Sequence, residues 1–359
     1  MLLPGALGML IQSEAKYLMM RHGKKIIGFG VTFLCLFMFA KQLEFNKVLL
    51  SLQMFYWPYF FIGFISLSLG YALRIYRWKI MLSGCGGLAT FKECSYPFLG
   101  SIALNNVLPF RLGDIFRTFV FCKTIGVTKT ASASSLIVER LFDLATLLVC
   151  FSIGLLSLNA ISIPKPLVET VIFLSVSSGI FFAMLLLMSS GIGAFLADNQ
   201  LFKNSKSKIV HRGIKIVGQL IIDISLIMRP KTVIFTFFLS MMIWLGEAGL
   251  YYSILLGFGI NEPLNAAVFV MSVATLSTLI PSSPGYIGSF HLAAFTAVTL
   301  IGGATALAGS YAVIAHLALW VPTTFVGGVM IMLKPELFQS VKQQLKLMKN
   351  KGMAQNEKF

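Results

Sequence analysis

The chain has 359 residues, of which 57% are hydrophobic and only 12% charged, with a formal net charge of +16 and a mean hydropathy of +0.84. This balance excludes an ordinary soluble domain and describes a polytopic membrane protein. The expected fold class is an all-α integral membrane bundle of about eight spans, with broken or re-entrant segments near 95–117 and 278–290.

In chain order, a segment at 1–25 precedes a membrane domain at 26–333, followed by a basic tail at 334–359. Spans are expected near Ile26–Ala40, Met54–Leu73, Ser132–Leu158, Val168–Ser190, Thr232–Leu256, Leu264–Ile280, Ile287–Ile301 and Thr305–Leu333. Several approach the ~20 residues that cross a bilayer, and the sixth and seventh are short. Met1–Ile11 has no basic residue, so a cleaved signal is not expected there.

The basic residues fall on one side of this scheme. Of the 29 Lys and Arg, 25 lie in the N-terminal segment, the stretches Arg74–Lys129 and Lys203–Lys231, and the tail. Lys41, Lys47 and Lys165 lie opposite, and Arg140 lies within a span. The positive-inside rule then places both termini in the cytoplasm, in the cell membrane, with anionic lipid as the basic loops' partner. Nucleic acid is not an expected partner. Between Lys203 and Lys231, Ile209, Ile216, Leu220 and Ile224 recur at helical spacing among Lys208, Arg212 and Lys215. That pattern suits either an amphipathic surface helix or a solvated connector.

The stretch Asn105-Asn106-Val107-Leu108-Pro109-Phe110-Arg111-Leu112-Gly113-Asp114-Ile115-Phe116-Arg117 interrupts an apolar run. Pro109 lacks an N–H and Gly113 favours non-helical geometry, so a continuous helix is not expected. Broken backbone at membrane depth persists only where protein buries it or a wet cavity receives it. A second break, Pro281-Ser282-Ser283-Pro284-Gly285-Tyr286-Ile287-Gly288, shares a Pro-x-x-x-Gly core with the first. Interrupted segments in corresponding places point to a transporter site, although two ordinary helix breaks would give the same letters.

Ionisable residues inside spans are costly and mark sites or structural pairs. Glu139 and Asp143 lie four apart on one helix face, and Arg140 lies three before Asp143. Pairing Arg140 with Asp143 leaves Glu139 to Arg111 or Arg117. The result is either a structural ion-pair cluster or a headgroup or proton path. Glu247, flanked by Gly246 and Gly249, suits a close helix approach or a wet interior. Arg74, Arg77 and Trp78 suit interface anchoring, with the two arginines also able to present a phosphate-binding fork. His291 and His316 fit interhelical hydrogen bonding better than ligation. Cys35, Cys85, Cys94, Cys122 and Cys150 show no metal-ligand spacing, so no metal or cofactor is expected. No glycine-rich phosphate loop supplies a nucleotide-driven energy source.

These motifs, from Arg74-x-x-Arg77-Trp78 through Asn106-x-x-Pro109-x-Arg111-x-Gly113-Asp114-x-x-Arg117, Glu139-Arg140-x-x-Asp143 and Glu247 to Pro281-x-x-Pro284-Gly285-x-x-Gly288, occur in one order. That order resembles the lysylphosphatidylglycerol synthase transmembrane region, also called flippase-like or uncharacterised protein family 0104, from about Gly28 to Leu333. The resemblance implies transbilayer movement of a polar lipid and no catalysis by this chain, because the soluble aminoacyl-transferase domain of the full synthases is absent from it. It assigns substrate contact to Asn106, Arg111, Gly113, Asp114, Arg117, Glu139, Arg140, Asp143, Glu247, Pro281, Gly285 and Gly288, with headgroup anchoring by Arg74, Arg77 and Trp78. One departure is His291, where relatives often carry a glutamate. Expected partners are membrane lipids and enzymes of envelope-glycan or lipid modification. The alternatives are a polyprenyl-phosphate-dependent glycosyltransferase and a non-transporting scaffold for envelope-glycan assembly.

Overall fold

The computed structural model describes residues 30, 32–42, 45–108, 111–157, 208–279, 284–337, 339 and 341–343, with five isolated positions between 169 and 180. Among them the fold is all-α. The helices are α1 (Thr32–Lys41), α2 (Phe45–Gln53), α3 (Pro58–Gly84), α4 (Phe91–Val107), α5 (Leu112–Phe119) and α6 (Lys129–Leu156). After these come α7 (Lys208–Ile227), α8 (Pro230–Gly257), α9 (Leu264–Ser277), α10 (Ser289–Leu300) and α11 (Thr305–Met332). Short 3-10 turns occupy Phe121–Ile125 and Pro284–Tyr286. The expected segment at 1–25, most of the fourth span, Pro109 and Pro281, and most of the tail lie outside the described residues.

Among the described helices, α3, α8 and α11 are long and apolar enough to cross a membrane. Each of α3 and α8 starts with proline in its first turn, where the missing N–H costs nothing. The two run against each other along a seam of small residues. A Cβ on Gly246 would lie 3.1 Å from the Gly70 Cα, and the Ser66 hydroxyl donates to the Gly246 carbonyl at 2.9 Å. Backbones brought this close gain van der Waals contact that bulkier side chains would prevent. The main core lies beside this seam, where Trp244, Tyr251 and Ile254 of α8 meet Ala266 and Met271 of α9 and Tyr311 of α11.

Three elements differ from expectation. Helix α3 continues to Gly84, eleven residues past the expected end at Leu73, so Arg74, Arg77 and Lys79 are helical residues and not loop. Arginines read as an interface girdle are tolerated inside because carboxylates of other helices meet them, a pairing that hydropathy does not register. Helix α2, short and amphipathic, joins the first two expected spans and packs on α11, with the hydroxyls of Ser51 and Ser310 in contact. Helix α7 docks its C-terminal half on α6, where the Leu220 carbonyl accepts from Ser134, Asp223 is buried, and Ile216 and Val217 stay exposed.

Both expected breaks are present. Thr90 caps α4 by accepting from the Glu93 N–H while the Glu93 carboxylate accepts from the Thr90 N–H, a reciprocal capping box. The helix ends where Leu108 turns extended, and α5 begins after Arg111. The second break follows α9, which has 14 residues, and precedes α10, which has 12.

Candidate functional site

The first break folds as a helical hairpin held by its own polar residues. The Asn105 side chain accepts from the Asp114 N–H at 3.1 Å and donates to the Asp114 carboxylate at 2.9 Å, tying α4 to the first turn of α5. Gly113 makes that approach possible: a Cβ there would collide with the Ser101 carbonyl oxygen. Arg111, just before α5, has φ 52° and ψ 40°, left-handed values that cost an L residue roughly 1–2 kcal/mol. Strain of this kind persists where surrounding structure over-determines it and collects at functional sites.

An ion-pair network extends from this hairpin to α6 and α3. Arg117, 1% exposed, pairs with Glu139 at 3.1 Å, and its guanidinium lies over the rings of Trp78 and Phe98 at 5.1 and 4.8 Å. Arg140 reaches Glu139 at 3.0 Å, Asp143 at 3.3 Å and Asp114 at 3.8 Å. Arg77 donates to Asp143 and to the Ser240 hydroxyl, each at 2.6 Å. Arg111 lies 3.8 Å from Asp114 without a hydrogen bond. Beside the network, Arg74 pairs with Glu247 at 2.6 Å, Thr275 donates to the same carboxylate, and the Arg74 guanidinium lies 4.8 Å from the Trp244 ring.

Of the two cations that the spacing left to Glu139, Arg117 takes it, and Arg140 shares the same carboxylate oxygen. Arg111 turns to Asp114. Arg77 and Trp78 are both buried within the protein, with Arg77 paired to Asp143 and the Trp78 indole donating to Ser135. Hydropathy registers an Arg-Trp pair only as a surface anchor, whereas tertiary pairing gives both side chains partners inside the protein.

These charges line a cavity of about 330 Å³. Arg111, Glu139, Arg140 and Asp143 line it together with Arg74 and Glu247. Asn106, Gly285, Tyr286, His316 and Trp320 complete it. Of the residues singled out from sequence, Asn106, Arg111, Glu139, Arg140, Asp143, Glu247 and Gly285 reach the cavity, as does Arg74. Asp114 and Arg117 stand behind it and hold its arginines and carboxylates. Gly113 acts through packing. Gly288 lies away from it with φ 95°, where a Cβ would be 2.8 Å from the Thr32 carbonyl oxygen of α1.

The two breaks meet at this cavity. Asn106 donates to Thr323 and Thr324 of α11, and its carbonyl accepts from the Trp320 indole at 3.3 Å. Gly285 has φ 74°, a Cβ on it would lie 2.8 Å from the Trp320 Nε1, and its carbonyl contacts the His316 Nε2 at 2.7 Å. Trp320 is thus the post against which both breaks are set. Sequence reading missed Tyr71, Trp244, Thr275, Tyr286, Trp320 and Thr323. A tryptophan in the middle of an apolar span, away from the usual interfacial belt, was the available signal for Trp320.

The sequence profile described as the lysylphosphatidylglycerol synthase TM region matches residues 25–327. A UPF0104 membrane protein of Methanocaldococcus jannaschii is 25% identical over 191 residues, covering 52% of this chain and 74% of that protein. No solved structure matches the chain. With most of its length matched and apolar helices around a charged interior, the chain is an integral membrane protein that belongs to the lysylphosphatidylglycerol synthase TM region family.

Proposed function

We propose that the protein translocates a polar lipid, anionic or phosphate-linked, across the cell membrane, and that the headgroup occupies the cavity between the two breaks. The observation that carries this reading is the arginine-rich network on the wall of a cavity set among apolar helices. A pocket near 330 Å³ is at the small end for ligand sites and holds a headgroup without its chains, which then stay in the surrounding lipid. Guanidinium groups suit phosphate oxygens by geometry and remain charged when partly desolvated. The basic bias of the flanking sequence favours entry from the cytoplasmic leaflet. Transport is favoured over transferase chemistry because each of the four carboxylates of the network and its neighbouring pair is engaged by an arginine.

The test is reconstitution into liposomes containing fluorescently labelled phospholipid, followed by quenching of label that reaches the outer leaflet. The parent protein is expected to move lipid well above the protein-free rate, and Arg111→Ala to lose most of that gain. An Arg111→Ala variant as fast as the parent would remove the role given to this residue.

A further inference from the structure

The apolar side of the charged hairpin is covered by the start of the basic tail. Past α11, residues 335–337, 339 and 341–343 are helical. Leu337 and Val341, four apart and so on one face, are buried against Phe116 of α5, Phe121 and Ile331. Glu336, Gln339 and Lys342 stay exposed on the other side. The Lys334 ammonium lies 4.9 Å from the centre of the Tyr96 ring of α4. Gly100 lets α4 approach the same end of α11, because a Cβ there would be 2.8 Å from Ile331. The family match ends at residue 327, so this covering lies beyond it.

Helix α5 has eight residues, too few to hold its shape alone. It is gripped from two sides. Asp114 and Arg117 pair with the network, and Phe116 packs on the tail. All three sit within one helical turn, so a shift of Phe116 carries the two charges with it. Arg111, immediately before α5, holds left-handed angles that persist only where surrounding structure imposes them. Without the tail, Phe116 and Phe121 lose the cover that Leu337 and Val341 give them, and the strained turn is free to relax. We propose that Leu337 and Val341 are positioning residues, which seat Phe116 and Phe121 and thereby hold Arg111 in the geometry that lines the cavity. The consequence for transport rests on the lipid-translocation reading above; the seating itself does not.

The chain carries its own reporters. Cys122, next to Phe121, is 0% exposed, and Cys150 of α6 is 7% exposed in the main core. Full-length protein in liposomes is treated with N-ethylmaleimide, and modification of each cysteine is followed by peptide mass. Transport is measured in parallel by the labelled-lipid assay. In the double variant Leu337→Ala, Val341→Ala, Cys122 is expected to react about tenfold faster or more, because truncating buried aliphatic side chains shifts local opening by at least that factor. Cys150 should react at the parent rate. Transport should fall by about half or more, following the fraction of protein whose hairpin has left its seat. Leu337→Met with Val341→Ile keeps the apolar cover and should restore both readouts.

Each adverse outcome identifies what fails. Unchanged Cys122 reactivity in the alanine variant overturns the seating role. Faster Cys122 labelling with parent-rate transport overturns the role in shaping the cavity while the contact stands. If Cys150 reacts along with Cys122, the single Val341→Ala is read by the same two thiols. Joint labelling there too makes the tail part of the global core and overturns a local role. A parent that moves no lipid faster than protein-free vesicles overturns the translocation reading, and the two thiols then still decide whether the tail holds the hairpin.

Discussion

The two breaks share a Pro-x-x-x-Gly core and one post, Trp320, yet they are built from opposite chemistry. The first is fixed by charge: Asn105 grips Asp114, Arg117 grips Glu139, and Arg111 stands in a strained conformation at the cavity. No charged residue lies between Leu264 and Ala304, so the second is fixed by backbone conformation and rings. There Gly285 and Gly288 take positive φ, His316 meets the Gly285 carbonyl, and the His291 and His316 rings lie 4.6 Å apart. One break supplies the electrostatics of the site and the other its shape. A charged hairpin is costly to disturb because its partners are left unpaired in a dry interior, whereas a neutral turn loses only local geometry.

The largest expected effect lies in the charged break. Arg117→Ala removes one of the two guanidinium groups on the buried Glu139 carboxylate and should cost about 2–3 kcal/mol, read as a large fall in thermal unfolding midpoint in detergent. A loss below about 1 kcal/mol would mean that Arg140 alone satisfies Glu139, and would erase the contrast between the breaks.

Matched glycine substitutions sharpen the comparison. Gly113→Ala drives a Cβ into the rigid Ser101 carbonyl and should cost about 2–3 kcal/mol through separation of α4 from α5. Gly285→Ala meets the Trp320 indole and a left-handed backbone, for about 1–2 kcal/mol. If Gly285→Ala proves the more damaging of the two, the second break is the stiffer one.

The smallest effect concerns His291, at the third residue of α10. Its Nδ1 accepts from the Gly288 N–H at 3.5 Å, the same reach-back a glutamate makes from the third residue of a helix. His291→Gln should therefore stay within about 0.5 kcal/mol of the parent, while His291→Ala loses about 1 kcal/mol of capping. Equal losses for both would show that the imidazole acts through its ring contacts with Phe39 and His316 and not as a cap.

What the sequence made legible was local. Proline and glycine announce a break wherever they stand, and Glu139, Arg140 and Asp143 declare a shared helix face through spacing alone. The Arg74–Glu247 pair was not legible because 173 residues separate its members and neither flank carries a sign of the other. The same holds for Trp320, whose role depends on two loops meeting it from distant positions. The end of α3 was misplaced for a related reason: an arginine reads as a surface residue until its carboxylate is known. Asn105 was passed over in favour of Asn106, although Asn105 is the residue that clamps the hairpin.

The lengths of α9 and α10 carry one more consequence. At 1.5 Å per residue, helices of 14 and 12 residues reach about 21 and 18 Å, short of the ~30 Å hydrocarbon layer. Most of α9 and half of α10 are buried against neighbouring helices, so the turn between them is enclosed by protein, as broken backbone in a hydrocarbon layer requires.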